Sequence, residues 1–110
     1  MGAQERIRAA VSRWAGVTVQ THRFGGIEFR YGKRELGHIH GDYLVDIPFS
    51  MGVRNELVRA GRAQPHHILP QRGWVSFSIK RESDVEGAIE LLQQSYDVPR
   101  NRRTISPAGP

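Results

Sequence analysis

Ile27-Glu28-Phe29-Arg30-Tyr31-Gly32-Lys33-Arg34-Glu35-Leu36-Gly37-His38-Ile39-His40-Gly41-Asp42-Tyr43-Leu44-Val45-Asp46-Ile47 is the stretch from which the fold can be read. Ile27, Phe29 and Tyr31 alternate with Glu28 and Arg30, the period of a strand with one apolar face. Gly32-Lys33 reads as a turn. Residues 35–40 predict another strand, ended by Gly41-Asp42, and residues 43–47 a further one, closed by Pro48. Consecutive strands joined by such short turns argue for an antiparallel sheet.

Outward from this stretch the pattern continues. Val17-Thr18-Val19-Gln20-Thr21-His22 alternates like a strand and leads into a Gly25-Gly26 turn. Before it, Ile7, Ala10, Val11 and Trp14 fall at i, i+3, i+4 and i+7, predicting a helix over residues 4–14 that Gly16 ends. Downstream, Ser50 is placed to cap a helix over 51–60 that buries Val53 and Leu57, with Gly61 as its stop. Residues 63–73 read as an irregular connection. Residues 74–79 predict a strand with Val75, Phe77 and Ile79 on one face and Trp74, Ser76 and Ser78 on the other. Ser83-Asp84-Val85-Glu86 has the form of a capping box opening a helix through Val85, Ala88, Ile89, Leu92 and Tyr96, with Pro99 as its stop. The order is α-β-β-β-β-α-β-α. The expected fold class is α+β, a single small domain over residues 1–98. Its mainly antiparallel sheet of about five strands carries helices on one face, and the other face is open for a site. Residues 99–110 read as a flexible, basic, Pro-containing tail.

The 110 residues suit one domain. With no cysteine, disulfides, thiolate catalysis and Cys-type zinc sites are excluded, and a reducing cytoplasmic setting is expected. No leader, myristoylation pattern or membrane-spanning run is read, so no membrane partner is expected. The 14 Arg and 2 Lys outweigh 11 acids, giving a net charge of +5. The arginines are spread along the chain except for Arg100, Arg102 and Arg103, so a solvated surface is expected rather than a nucleic-acid site. Oligomeric state is not legible.

Four of the five histidines fall in two short segments, Gly37-His38-Ile39-His40-Gly41-Asp42 and Pro65-His66-His67-Ile68-Leu69-Pro70. Histidine is the side chain best suited to proton transfer near neutral pH and a common metal ligand. On a strand His38 and His40 point the same way, about 7 Å apart. They suit two ligands of one divalent metal, two contacts to one ligand, or merely a polar strand face. His66, His67, Asp42 and Asp46 are candidates for a third ligand. An isolated His-x-His is a weak signal, and His66-His67 equally suits satisfied loop histidines. Asp42 after Gly41 suits an Asx-turn. Asp46, set in an apolar strand, needs a partner, either an arginine or a histidine, and an Asp–Arg pair holding two strands is the simpler reading. Trp74 stands opposite the core side of its strand, as a floor for an aromatic ligand or a cover for the sheet edge. Glu28 and Arg30 are placed to pair. His22 has no partner in sequence and reads as a surface residue. No Gly-x-Gly-x-x-Gly or phosphate-binding Gly-Lys-Ser/Thr loop is present, so no nucleotide cofactor is expected.

Five ordered motifs then carry a family resemblance. They are Glu35-Leu36-Gly37-His38-Ile39-His40-Gly41-Asp42, Asp46-Ile47-Pro48-Phe49, Pro65-His66-His67-Ile68-Leu69-Pro70, Gly73-Trp74-Val75-Ser76-Phe77, and Asp84-Val85-Glu86 with Leu91-Leu92. Together they resemble the small bacterial "luciferase family" proteins, which share a domain with the luciferases of mushroom bioluminescence. The resemblance implies an activity like that of the fungal enzymes, cofactor-independent oxygenases that oxidise a hydroxylated pyrone polyphenol with O₂. Light emission is not carried over. The chain is shorter than the fungal enzymes, so their membrane association and enclosed luciferin pocket are not expected here. His38, His40, His66, His67 and Trp74 carry over as motif positions.

Three readings follow. In the first, His38, His40 and His67 are catalytic and act as acid–base groups on an enol, polyphenol or pyrone-type small molecule, with O₂ as co-substrate. His66, Trp74, Asp42 and Arg30 bind that ligand. In the second, the histidines hold a divalent metal. In the third, the protein is a non-enzymatic binding module with a basic surface.

Overall fold

The computed structural model describes residues 2–21, 25–68 and 72–105. Among these described residues the domain is made of three helices and a single antiparallel sheet. In chain order they are α1 (Ala3–Val11), β1 (Val17–Thr21), β2 (Ile27–Tyr31), β3 (Arg34–His40), β4 (Leu44–Pro48), α2 (Met51–Arg59), β5 (Gln64–Pro65), β6 (Trp74–Ser78) and α3 (Asp84–Ile105). The six strands lie in the order β1-β2-β3-β4-β6-β5. The α+β class and the open antiparallel sheet are as the alternation predicts. The sixth strand is new. Gln64–Pro65, expected inside an irregular connection, pairs with Ser76 and Val75 of β6. A proline is tolerated there because β5 lies at the sheet edge, where no ladder donor is needed on its outer side.

Phe29, Ile39, Val45, Ile47 and Val75 share the inner face of the sheet and are fully buried. Ala88, Leu91 and Leu92 of α3 are buried in the same core, with Ile7 and Val11 from α1. Burying one such large apolar side chain contributes about 1.5–3 kcal/mol. Gly37 sets how closely α3 approaches. A methyl group there would lie 2.7 Å from Leu92 Cδ2 and 2.9 Å from the Asp46 carbonyl oxygen. At the other end of the core, Tyr96 stacks near Trp14 at 5.2 Å and donates its hydroxyl to the Ala15 carbonyl at 2.7 Å.

Several boundaries differ from expectation, each for a local reason. Helix α1 stops at Val11, and its last turn tightens into i→i−3 bonds from Arg13 to Ala10 and from Trp14 to Val11. Ser50 caps α2 as expected, accepting the Val53 amide at 3.3 Å. At the start of α3 the Asp84 carboxylate reaches back to the Lys80 and Arg81 amides, at 2.8 and 3.1 Å. Helix α3 then runs past Pro99, the expected stop, to Ile105. Pro99 has no N–H for the Ser95 carbonyl one turn earlier. The Arg34 guanidinium donates to that carbonyl instead, at 3.2 Å. His22 and residues 106–110 lie outside the described residues.

A β-bulge positions part of the site. Phe29 pairs with Gly37 and Arg30 with Glu35, leaving Leu36 as the extra residue of β3. By simple alternation Glu35 and His38 would face opposite ways. The bulge puts both on the outer face, opposite Arg30 and Glu28.

Candidate functional site: a histidine–aspartate centre

The outer face carries a row of polar side chains set by strand register. Glu28 lies opposite His38, His38 opposite Asp46, Asp46 opposite Ser76, and Ser76 opposite Gln64. His40 follows His38 by one strand period. Beyond β5 the chain folds back over this row. The His67 amide donates to Ser76 Oγ at 3.2 Å, and the Ile68 amide donates to His66 Nδ1 at 3.1 Å. These two bonds hold both loop rings above Asp46.

All four rings converge on one atom. His67, His40, His38 and His66 place Nε2 at 3.0, 3.1, 3.3 and 3.4 Å from Asp46 Oδ2. The other carboxylate oxygen accepts the Ser76 hydroxyl at 2.7 Å. The Asp46 side chain is only 1% exposed, so it has left water and depends on these groups. The preferred arginine partner is absent from these contacts, and the histidine alternative holds, with four imidazoles and a serine around the carboxylate. Parity along β4 showed that Asp46 needs a partner, but the partner comes from β3, β6 and the distant loop. Of the two carboxylates weighed as a third ligand, Asp46 is in the centre and Asp42 is not. Asp42 instead accepts the Gln4 amide at 3.0 Å, at the start of α1.

Electrostatics divide the rings. Burial disfavours a charged His38, yet its hydrogen bonds to Asp46 and Glu35 and the charges of both outweigh that and raise its pKa to about 9. Glu35 Oε2 lies 2.6 Å from His38 Nδ1, so His38 is an imidazolium held between two carboxylates. Burial likewise works against ionised Asp46, but bonds from His38, Ser76 and His67 hold its carboxyl well below the usual carboxylate range. Burial pushes His66 down, helped by its neighbouring rings and only partly opposed by Asp46. Its Nδ1 accepts an amide hydrogen, so neutral His66 carries its proton on Nε2 and donates toward Asp46.

Access separates the rings again. The His67 side chain is 42% exposed and that of His40 31%, against 12% for His38 and 10% for His66. Outer molecules therefore meet His67 and His40 first. Half-buried Trp74 flanks the centre, its ring 5.3 Å from that of His38 and 5.9 Å from that of His66. Arg30 lies on the same outer face, paired with Glu28 as expected and donating to the Lys33 carbonyl at 3.0 Å. Six of the seven residues singled out from sequence thus share the outer face, and five of them meet around Asp46. Sequence reasoning missed Glu35 and Ser76. Ser76 shares its parity with Trp74, a usable signal. Glu35 depends on the bulge, which leaves no pattern in the residues.

The fold and the centre define a small α+β domain with a histidine–aspartate cluster on an open sheet face. A family model, the Luciferase domain, matches residues 33–95, more than half of the chain, and the chain belongs to that family. The match runs from the start of β3 into α3 and includes all four clustered histidines, Glu35, Asp46, Trp74 and Ser76. No curated protein and no solved structure matches the chain. Among the described residues no helix is long and apolar enough to cross a membrane.

Proposed function

We propose that this Luciferase-domain protein binds a small hydroxylated enol or phenol, of the pyrone or polyphenol type, and oxidises it with O₂. The observation that carries the reading is the convergence of four imidazoles on buried Asp46, beside an indole and within reach of outer molecules. His67 and His40, the exposed rings, accept the hydroxyl proton of the ligand. Asp46 sets their orientation and stabilises the imidazolium that forms. Trp74 lies flat against the aromatic ligand, and the His38 cation faces the resulting anion. Arg30, committed to Glu28, takes a supporting place on the flank.

The enolate is electron-rich at carbon. It gives two electrons to O₂ in single-electron steps, a C–O bond forms, and the peroxide oxygen takes back the proton that histidine held. Atoms balance as ligand plus O₂ giving an organic hydroperoxide, with carbon oxidised and oxygen reduced.

The test is oxygen uptake with a panel of hydroxylated pyrones and catechols. One or more should be consumed in step with O₂ by the native chain. His67→Ala should slow this by about 10²-fold or more while the domain stays folded, as circular dichroism checks, because three other rings and Ser76 still hold Asp46. Equal uptake by the variant, or none with any member of the panel, would remove the reading.

A further inference from the structure

We infer that His38, His40 and Asp46 form a binding site for one divalent first-row transition-metal ion, with coordination positions left open toward His67 and Trp74. The inference rests on the reading of this cluster as the working site and adds a cation to it.

Geometry is the first argument. One ring nitrogen from each of His38 and His40 and an Asp46 oxygen all lie within 4.8 Å of one another, and the two Nε2 atoms stand 3.3 and 3.1 Å from Oδ2. Metal–nitrogen and metal–oxygen bonds of about 2.0–2.2 Å put neighbouring ligand atoms about 3.0–3.4 Å apart. The spacing is therefore that of adjacent corners of a coordination shell. Hydrogen bonds alone do not account for the convergence, because one carboxylate oxygen has too few lone pairs for four N–H donors.

The outer contacts are the second argument. A metal-bound histidine nearly always gives its other ring N–H to a carboxylate or carbonyl. Glu35 Oε2 stands 2.6 Å from His38 Nδ1 and keeps the N–H there, so a cation that displaces the Nε2 proton of the His38 imidazolium meets a neutral ring already oriented toward it. Two buried or half-buried carboxylates, Glu35 and Asp46, also give the spot a negative balance that favours a cation.

Asp46, His66 and His67 form a second group of the same kind. Tautomers decide between them. His66 Nδ1 accepts the Ile68 amide, so the proton on Nε2 is the only one this ring holds, and unlike His38 it has no neutral form that both keeps its Nδ1 bond and offers Nε2 to a metal. His66 instead donates toward Asp46 at 3.4 Å and helps to orient it. Two histidines and one carboxylate, with open positions, is the arrangement that non-haem iron oxygenases use for O₂. A metal cation there would take over from the His38 imidazolium the task of facing the ligand's anionic oxygen, which deepens the proposed chemistry.

The experiment is titration of the chelator-treated full chain with Co(II), followed by calorimetry and visible absorption. One equivalent is expected, with the bands of nitrogen and oxygen donors. His40→Ala should abolish saturable binding, Glu35→Gln should weaken it about 10–100-fold, and His66→Gln should keep it. Circular dichroism shows that each variant is folded. No saturable binding, or equal affinity in His40→Ala, overturns the site. Oxygen uptake by the metal-free chain, measured on the same samples, separates the two ideas. Uptake undiminished without metal overturns the metal's role and leaves oxygenation standing. Stoichiometric metal with no uptake supports the site and counts against oxygenation.

Discussion

Replacing Asp46 by asparagine should cost the metal-free domain about 2–3 kcal/mol. The substitution keeps shape and keeps an acceptor for the Ser76 hydroxyl, which lies 2.7 Å from Oδ1. It removes the charge at Oδ2, where four ring nitrogens stand at 3.0–3.4 Å. Hydrogen bonds to a charged group contribute about 1.5–3 kcal/mol each and neutral ones about 0.5–1.5. Converting two or three good contacts from the first kind to the second gives the stated loss. The His38 imidazolium keeps Glu35, which limits the damage. Alanine at the same position strands the serine and the rings and should cost about 3–5 kcal/mol. A domain of this size has about 5–15 kcal/mol in all. The asparagine variant should therefore fold and melt about 10–20 °C lower, using about 4–8 °C per kcal/mol. Thermal and urea unfolding in the presence of chelator measures this. A melting temperature equal to or above that of the native chain would refute the view that Asp46 organises the four rings.

Other outcomes follow from single contacts. Trp74→Ala should weaken pyrone or catechol binding about tenfold or more, seen as a raised KM with kcat less affected, since an aromatic platform contributes about 0.5–1.5 kcal/mol beyond its buried area. His38→Ala should unfold more easily than His67→Ala, because it leaves Glu35 facing Asp46 without the cation between them. Tyr96→Phe should cost about 1 kcal/mol in urea unfolding through the lost bond to the Ala15 carbonyl. Asp84→Asn should lower the melting temperature near neutral pH. Its two backbone amide bonds and neighbouring cations depress the folded-state pKa below 3.8, so its contribution is present above that value and lost as pH falls through the folded pKa. The gap between native and variant melting temperatures should close in acid.

The sheet was legible because it is written in local signals. Ile27, Phe29 and Tyr31 alternate, and glycine turns at 32 and 41 punctuate the strands, so neighbours in sequence are neighbours in space. The histidines were legible as residues of interest, and their meeting in one centre was an assumption of the first two readings rather than something the residues dictate. Their meeting depends on β4 pairing with β6 and on two residues of β5 pinning the loop to Ser76, contacts between distant segments that no short window encodes. Asp46 shows the limit well. Its apolar neighbours signal a buried carboxylate in need of a partner, but partner identity is a property of the opposite strands. Glu35 was hidden by the bulge at Leu36, which reverses the side that counting assigns. Pro99 misled because its helix-breaking cost is local, whereas the Arg34 bond that offsets it comes from β3.

Histidine ring nitrogen NMR on the metal-free chain tests the central claim, that His38, His40, His66 and His67 share one carboxylate. Asp46→Asn is predicted to shift the ring resonances of all four together, with neutral His66 showing its proton on Nε2 in the native chain. If the His66 and His67 signals were unmoved by the substitution while His38 and His40 responded, the two histidine segments would not meet, and the centre described here would not exist.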